Sequence, residues 1–368
     1  MSSKALQEAG RVMTICNSCR YCEGFCAVFP AMELRRTFTS GELKYLANLC
    51  HNCRDCYYAC QYMPPHEFDL NFPKAMAELR LETYQEFVRP KFLSFLFKKN
   101  GLATLLISLA SIFLVYLTAM VTKSGDGLFG SYTGPHSFYA IIPYGLMIAA
   151  YSLIALLVIF SFWFSVRKFW QETAPLAETL TDKPGNLRAL KDALTLKYLE
   201  GGGHGCNYPT DEFSFIRRYL HHLIFYGFGL CFVATTLAAI YDHLLGRPAP
   251  YPFFSLPVLS GTIGGILIVI GTAGMLYLKT KMDRLPNTEK TLAMDISFNL
   301  LLMLSSLSGL ILLIVRDTHL MGTMLILHLG LVLAFFITMP FGKFIHAVFR
   351  YIALVRHAQE QKKAAENH

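Results

Sequence analysis

The chain has 368 residues, 54% of them hydrophobic and only 16% charged, a balance too apolar for two soluble domains of that combined length. Its formal net charge of +8 is not gathered into a basic patch interleaved with aromatics, which argues against nucleic acid as a partner. In a membrane protein such an excess reflects basic loops on one side of the bilayer.

The opening stretch "MSSKALQEAGRVMT" lacks the apolar core of a secretory signal, so the thiols that follow are expected in the reducing cytoplasm. Eight of the ten cysteines lie in "CNSCRYCEGFC" (16–26) and "CHNCRDCYYAC" (50–60), both spaced C-x2-C-x2-C-x3-C. Zinc sites separate two short pairs by a longer spacer. Three thiols in close register with a fourth just beyond is the iron–sulfur spacing, in which the fourth reaches the other cluster. Two [4Fe–4S] clusters are therefore predicted. Cys16, Cys19, Cys22 and Cys60 would hold one, and Cys50, Cys53, Cys56 and Cys26 the other.

Bacterial ferredoxins place proline directly after the fourth cysteine, where this chain has Ala27 and Gln61. Between the motifs Ser40 is read as the N-cap of "GELKYLANLC", and a further helix is expected from Pro73 to about Phe87. The segment resembles the α-helical ferredoxins of heterodisulfide and succinate oxidoreductase subunits more than a βαβ ferredoxin. The fold class expected is all-α: a cytoplasmic two-cluster ferredoxin-like domain over 1–97, separable from the rest, a membrane domain over 98–357 and a tail over 358–368.

From Leu102 onward, apolar runs approach the ~20 residues that cross ~30 Å of hydrocarbon. Six spans are predicted, at 102–121, 139–164, 219–244, 256–278, 292–315 and 322–348. Lys123, Arg247 and Arg316 are the basic residues of one side; Lys98, Lys99, Arg167, Lys168, Arg217 and Arg218 begin a far longer series on the other. The positive-inside rule then puts both termini in the cytoplasm and the protein in the inner membrane. The longest break, 167–218, contains "NLRALKDALTLKYLE", read as an amphipathic helix capped by Asn186 with Leu187, Leu190, Leu194 and Tyr198 along one stripe. It runs into "GGGHGCNYP", a candidate docking loop that would bring His204 and Cys206 near a redox centre.

Ionisable residues inside spans are rare and usually functional. Span three opens with His221 and His222 and closes with His243; span six holds His328 and His346. On continuous helices His328 and His346 would share a face ~27 Å apart, and His221 and His243 nearly so at ~33 Å. The two spans run in opposite directions. His221 or His222 would thus stand level with His346 near the cytoplasm, and His243 opposite His328 near the outside, two sites for bis-imidazole haem b. Arg217 or Arg218 is the candidate anchor of the inner haem's carboxylates, with Lys343 one turn before His346. His319 and His357 read as interfacial. Asp295 and Asn299 with Lys279 and Lys281 make an inner candidate quinone site, and Tyr241, His243 and Arg247 an outer one.

The stretch 328–355, "HLGLVLAFFITMPFGKFIHAVFRYIALV", looks like the last span of the haem-b γ subunit of respiratory nitrate reductase. That family carries two histidines ten residues apart on the partner helix, where this chain has Cys231 or Phe232, so one haem or two remain open. The whole layout resembles the tricarballylate/citrate-utilization protein B family. That resemblance implies a membrane protein that reoxidises the flavin of a separate carboxylic-acid dehydrogenase and delivers electrons to the quinone pool. No G-x-G-x-x-G follows a strand, and "GTIGG" from Gly261 reads as close helix packing. The chain thus offers wiring without an organic substrate site. A quinol-oxidising subunit working in reverse, and a redox-sensing membrane protein or transporter, are the alternatives, the latter lacking mid-span acids.

Overall fold

The computed structural model describes residues 3–122, 127–174 and 182–366. Lys123, part of the loop charge asymmetry, lies outside the described residues, as do 175–181 of the long cytoplasmic loop and 367–368 of the tail. Among the described residues the only sheet is a two-residue antiparallel pair, Cys206–Asn207 with Phe213–Ser214, and the rest is helix and connection. The fold is all-α.

Five helices build the N-terminal part: α1 (Lys4–Cys19), α2 (Val28–Glu33), α3 (Ser40–Leu49), α4 (Asp55–Tyr58) and α5 (Phe72–Phe87). Ser3 caps α1 and Asn71 caps α5, whose Pro73 suits the first turn because its missing N–H would have no helical partner. The cap of α3 is Thr39 rather than Ser40. Thr39 pairs with Glu42 in a reciprocal capping box, whereas Ser40 would have had apolar Leu43 at the matching position.

Six helices among the described residues are long and apolar enough to cross a membrane, making this a multi-pass membrane protein. They are α6 (Asn100–Thr122), α7 (Tyr144–Thr173), α9 (Ile216–His243), α10 (Leu256–Lys281), α11 (Glu289–Val315) and α12 (Met321–Thr338), with α8 (Lys183–Leu194) between α7 and α9. Leu109, Phe113, Leu156 and Trp163 are more than half exposed, as lipid-facing residues of a bundle should be. α7 starts later than expected because Pro143 disfavours helix at the residue before it. Asp182, not Asn186, caps α8 by accepting from Gly185 N at 2.9 Å, and the leucine stripe of that helix faces outward while Ala189 is buried.

The largest departure concerns span six. It is not one helix to Val348. A 3-10 turn at Met339–Phe341 contains Pro340, Gly342 is extended, and a new helix, α13 (Ile345–Glu366), begins beyond. Proline removes a helical donor and glycine gains freedom outside the helix, so the break is local chemistry.

Glycine sets the helix contacts that matter. A Cβ added to Gly264 would stand 2.7 Å from Gly227 O, and one on Gly227 2.8 Å from Gly264 O, so α9 and α10 touch backbone to backbone. The "GTIGG" reading holds at that point. α12 instead presses on α6, where Gly330 meets Ile112.

The N-terminal core does not stop at residue 97. Ala189 of α8 and Ala353, Leu354 and Val355 of α13 are buried in one cluster with Val12, Phe29, Leu46 and Met76. A buried ion cluster seals this junction. Glu360 accepts from Arg35, from Arg356 Nε at 3.0 Å and from Tyr45 OH at 2.9 Å. The expected separable fragment therefore lacks part of its own core. Because Glu360→Ala leaves buried Arg356 without a carboxylate and buried Arg35 with Glu42 alone, it should cost about 3 kcal/mol. The check is a large fall in the thermal midpoint of the detergent-solubilised chain, with Glu360→Gln falling less.

Candidate redox centres

The first thiol quartet forms where two helix ends meet. α1 carries Cys16 and Cys19 on its last turns and stops at Arg20, whose left-handed backbone (φ 56) turns the chain back through Cys22. Cys60 follows α4, its sulfur accepting from Tyr62 N at 3.4 Å. Cys16, Cys19, Cys22 and Cys60 line one cavity of about 240 Å³, with Cys56 behind them and Arg20 and Tyr21 at the rim. Cys19 and Tyr21 are exposed. Burial first, and then the neighbouring thiols, push Cys16 far up and Cys22 to about 12. Thiols crowded in this way ionise together only around a cationic centre that shares them.

The second quartet lies deeper. Cys50 leaves the end of α3 in an extended conformation, and Asn52 (φ 56) and Arg54 (φ 76) curl the chain through buried Cys53 and Cys56. Cys26 completes the set, its sulfur accepting from the Val28 and Phe29 N–H groups at the start of α2. Burial, then the Cys22, Cys26 and Cys50 thiols, raise Cys56 well above the usual thiol value. Among the described residues no three His, Cys, Asp or Glu side chains converge on a point that one ion could occupy.

The glycine loop covers both motifs. Gly201 and Gly202 take positive φ (52 and 67), and an added Cβ would meet Asp55 Oδ2 at 2.4 Å and Gly24 O at 3.1 Å. Asn207 N donates to Asp55 Oδ1 at 2.8 Å, and Cys206, fully buried, is hydrogen-bonded to Cys53. His204 turns outward against Phe213 and does not approach the thiols.

Beneath the second quartet a cavity of about 360 Å³ opens between the N-terminal part and the bundle. His221 and His346 both line it, with ring centroids 6.3 Å apart and planes at 73°. Metal–imidazole bonds run about 2 Å, so two rings sharing one metal would have centres roughly 6 Å apart. His346 Nδ1 donates to Lys343 O, which leaves Nε2 free, and His221 Nδ1 is buried without a partner. Burial, then Lys343 and Arg350, hold His346 well below the ordinary imidazole value, in the neutral form a metal needs. These residues fit an axial pair for haem.

The other histidines go elsewhere. His222 stacks on Tyr226 and does not line the cavity, so of the two inner alternatives the geometry takes His221. Tyr144 OH on α7 donates to His243 Nε2 at 2.6 Å, while His328 Nδ1 donates to Ser305 O on α11 at 3.1 Å. The expected outer pair is not brought together: α9 packs through its glycine on α10, and the helix break removes the shared face assumed for His328 and His346. His357, expected at the interface, is buried edge-on to Tyr198.

Asp295 is held between Lys279 at 2.7 Å and Lys343 at 2.6 Å, and all three line the cavity. Asn299 Nδ2 donates to Asp295 O at 2.7 Å, a bond within its own helix. Arg218 pairs with Glu200 and donates to Thr195 O, away from the cavity, whereas Arg217 lines it. Sequence reasoning missed Arg80 and Arg350 on the same lining. The spacing Arg350–His346 mirrors Arg217–His221, four residues each, and was the available signal.

Purified anaerobically, the full chain should carry about eight iron and eight sulfide, and Cys22→Ala about four of each. Metal and sulfide analysis checks this, with zinc in place of iron as the opposing result.

The family described as Citrate utilization protein B matches residues 99–367, and its Fer4-like domain matches residues 9–86, which contain all eight motif cysteines. A curated Escherichia coli protein named Citrate utilization protein B is 46% identical over 364 residues, 98% of this chain and 93% of that protein. No solved structure matches. With one match over most of the membrane half and another over the thiol motifs, the chain belongs to the citrate utilization protein B family.

Proposed function

We propose that this membrane protein takes electrons from a reduced flavoprotein at the cytoplasmic face and delivers them to the quinone pool. The observation that carries the reading is the succession of sites. An exposed-edged thiol quartet adjoins a buried one, and the buried one adjoins a cavity with two facing imidazoles. The Fer4-like match supports iron–sulfur clusters in the quartets. Bound there, two [4Fe–4S] clusters and haem b would supply a succession of one-electron carriers.

The protein's own residues set access and direction. Cys19 and Tyr21 leave one edge of the outer quartet open to a partner flavin. Leu199, Cys206 and Tyr208 pack around Cys53 and keep water from the inner quartet. His221 and His346 are the residues that would hold a haem iron. The excess of basic residues beside the N-terminal part supports a cytoplasmic location for it, in an inner membrane. The relative's name suits a partner dehydrogenase acting on tricarballylate or a related carboxylic acid. Asp295 and Lys343, which line the cavity beside Lys279, are the inner candidates for hydrogen bonds to quinone carbonyls.

His221→Leu and His346→Leu should each abolish the haem absorption band of purified protein, and His222→Leu should leave it. Loss through His222 but not His221 would reverse the axial assignment. Asp295→Asn should slow oxidation of the chemically reduced protein by a short-chain quinone about tenfold, some 1.4 kcal/mol. Stopped-flow spectroscopy reads it, with iron and haem content as controls. An unchanged rate, with His243→Leu abolishing it, would move the quinone site to the outer face.

A further inference from the structure

The cavity that holds the two imidazoles is rich in cations. Arg80, Arg217 and Arg350 come to it from α5, α9 and α13, and among the described residues none of the three has a carboxylate partner within 4 Å. Asp295, on the same lining, is already clasped by Lys279 and Lys343. The three guanidiniums instead donate to successive carbonyls of the inner cysteine loop. Arg80 and Arg350 both reach Cys50 O at 2.8 Å, and Arg217 reaches His51 O at 3.1 Å and Asn52 O at 2.6 Å. One carbonyl dipole does not balance a buried positive charge, and Arg350 Nε is buried with no partner at all.

Their placement relative to the imidazoles is symmetrical. Arg217 precedes His221 by one turn, and Arg350 follows His346 by one turn. Each guanidinium is thus displaced ~6 Å along its helix from its histidine, toward the cysteine loop. A planar ligand whose metal sits between the rings would point one edge at these guanidiniums. Guanidinium forks match carboxylates two bonds at a time.

We infer that Arg80 and Arg350, together with Arg217, bind the two carboxylates of the haem and so turn its carboxylate edge toward Cys50 and Asn52. This rests on the haem reading above. Bound there, the carboxylates neutralise the cations that α5, α9 and α13 bring together. The same guanidiniums hold the inner cysteine loop, so cluster loop and haem edge share one set of donors. Arg218, spent on Glu200 and Thr195, takes no part.

The test uses full-length protein from haem-deficient cells, titrated in detergent with iron protoporphyrin IX and with its dimethyl ester, which lacks the carboxylates. Wild type should bind the free acid at least about tenfold more tightly, ~1.4 kcal/mol. Arg80→Gln/Arg350→Gln should cut that discrimination at least about threefold, Arg217 accounting for what remains, while leaving ester affinity at the wild-type value, which shows the imidazole pair and fold intact. Retained discrimination in the double variant, or equal loss of both porphyrins, overturns the inference. Wild type that binds neither porphyrin overturns the haem reading itself, and the inference with it.

Discussion

Three successive peptide carbonyls join the two halves of this protein. Cys50 O, His51 O and Asn52 O accept from guanidiniums on three helices that are far apart in the chain. A carbonyl oxygen has two lone pairs, and Cys50 O uses both on arginine. Each bond is charge-assisted and made by a planar, permanently charged group, so it resists both rotation and loss of charge. The loop that carries the inner thiols is therefore held in register with the imidazole cavity. A shift of α5, α9 or α13 would move the loop with it.

Burial rises along the chain of centres, and the cause is a cover built from glycine. Only residues without a side chain could lie as close to Asp55 and Gly24 as Gly201 and Gly202 do, at positive φ. The cover brings Cys206 to Cys53 and closes the inner quartet, while the outer quartet keeps Cys19 exposed. Water is excluded from the inner quartet and admitted at the edge of the outer one. The low dielectric that makes crowded thiols hard to ionise alone also makes their attraction to a shared cationic centre strong.

The break at Pro340 and Gly342 links membrane and cytoplasmic structure. α12 ends with its lower turn in the bundle, and α13 restarts with His346 and Arg350 facing the cavity. Two turns further on, Ala353, Leu354 and Val355 complete the N-terminal core, and Glu360 closes the ion cluster with Arg35, Arg356 and Tyr45. A continuous helix would have carried those residues along its own axis, away from the domain they complete. One change of direction thus supplies an imidazole, a guanidinium and part of a distant core.

Much of this was legible in the residues. Two C-x2-C-x2-C-x3-C motifs pointed to iron–sulfur clusters because cluster binding depends on close thiol spacing, and the Fer4-like match agrees. Six apolar runs announced six crossings because the bilayer imposes a length on each one alone. The pairing of His221 with His346 followed from depth, a property that survives errors in helix phase. The outer pair did not survive: His243 sits against Tyr144 of α7 and His328 against Ser305 of α11, so a shared depth alone did not bring them together. α9 meets α10 where glycines let backbones touch and α12 through the rings of Phe228 and Phe335, and each contact depends on both partners at once. Arg80 escaped notice because a guanidinium far along the chain joins a site only when packing brings it there, whereas Arg350 was signalled by its four-residue spacing from His346 and was overlooked. The sequence by itself determined the cysteine motifs, the crossings and the all-α class, because each is a local matter of spacing or length. Only the tertiary structure decided which histidine of 221 and 222 faces His346, and which cations surround them, because those depend on the rotation and contact of whole helices.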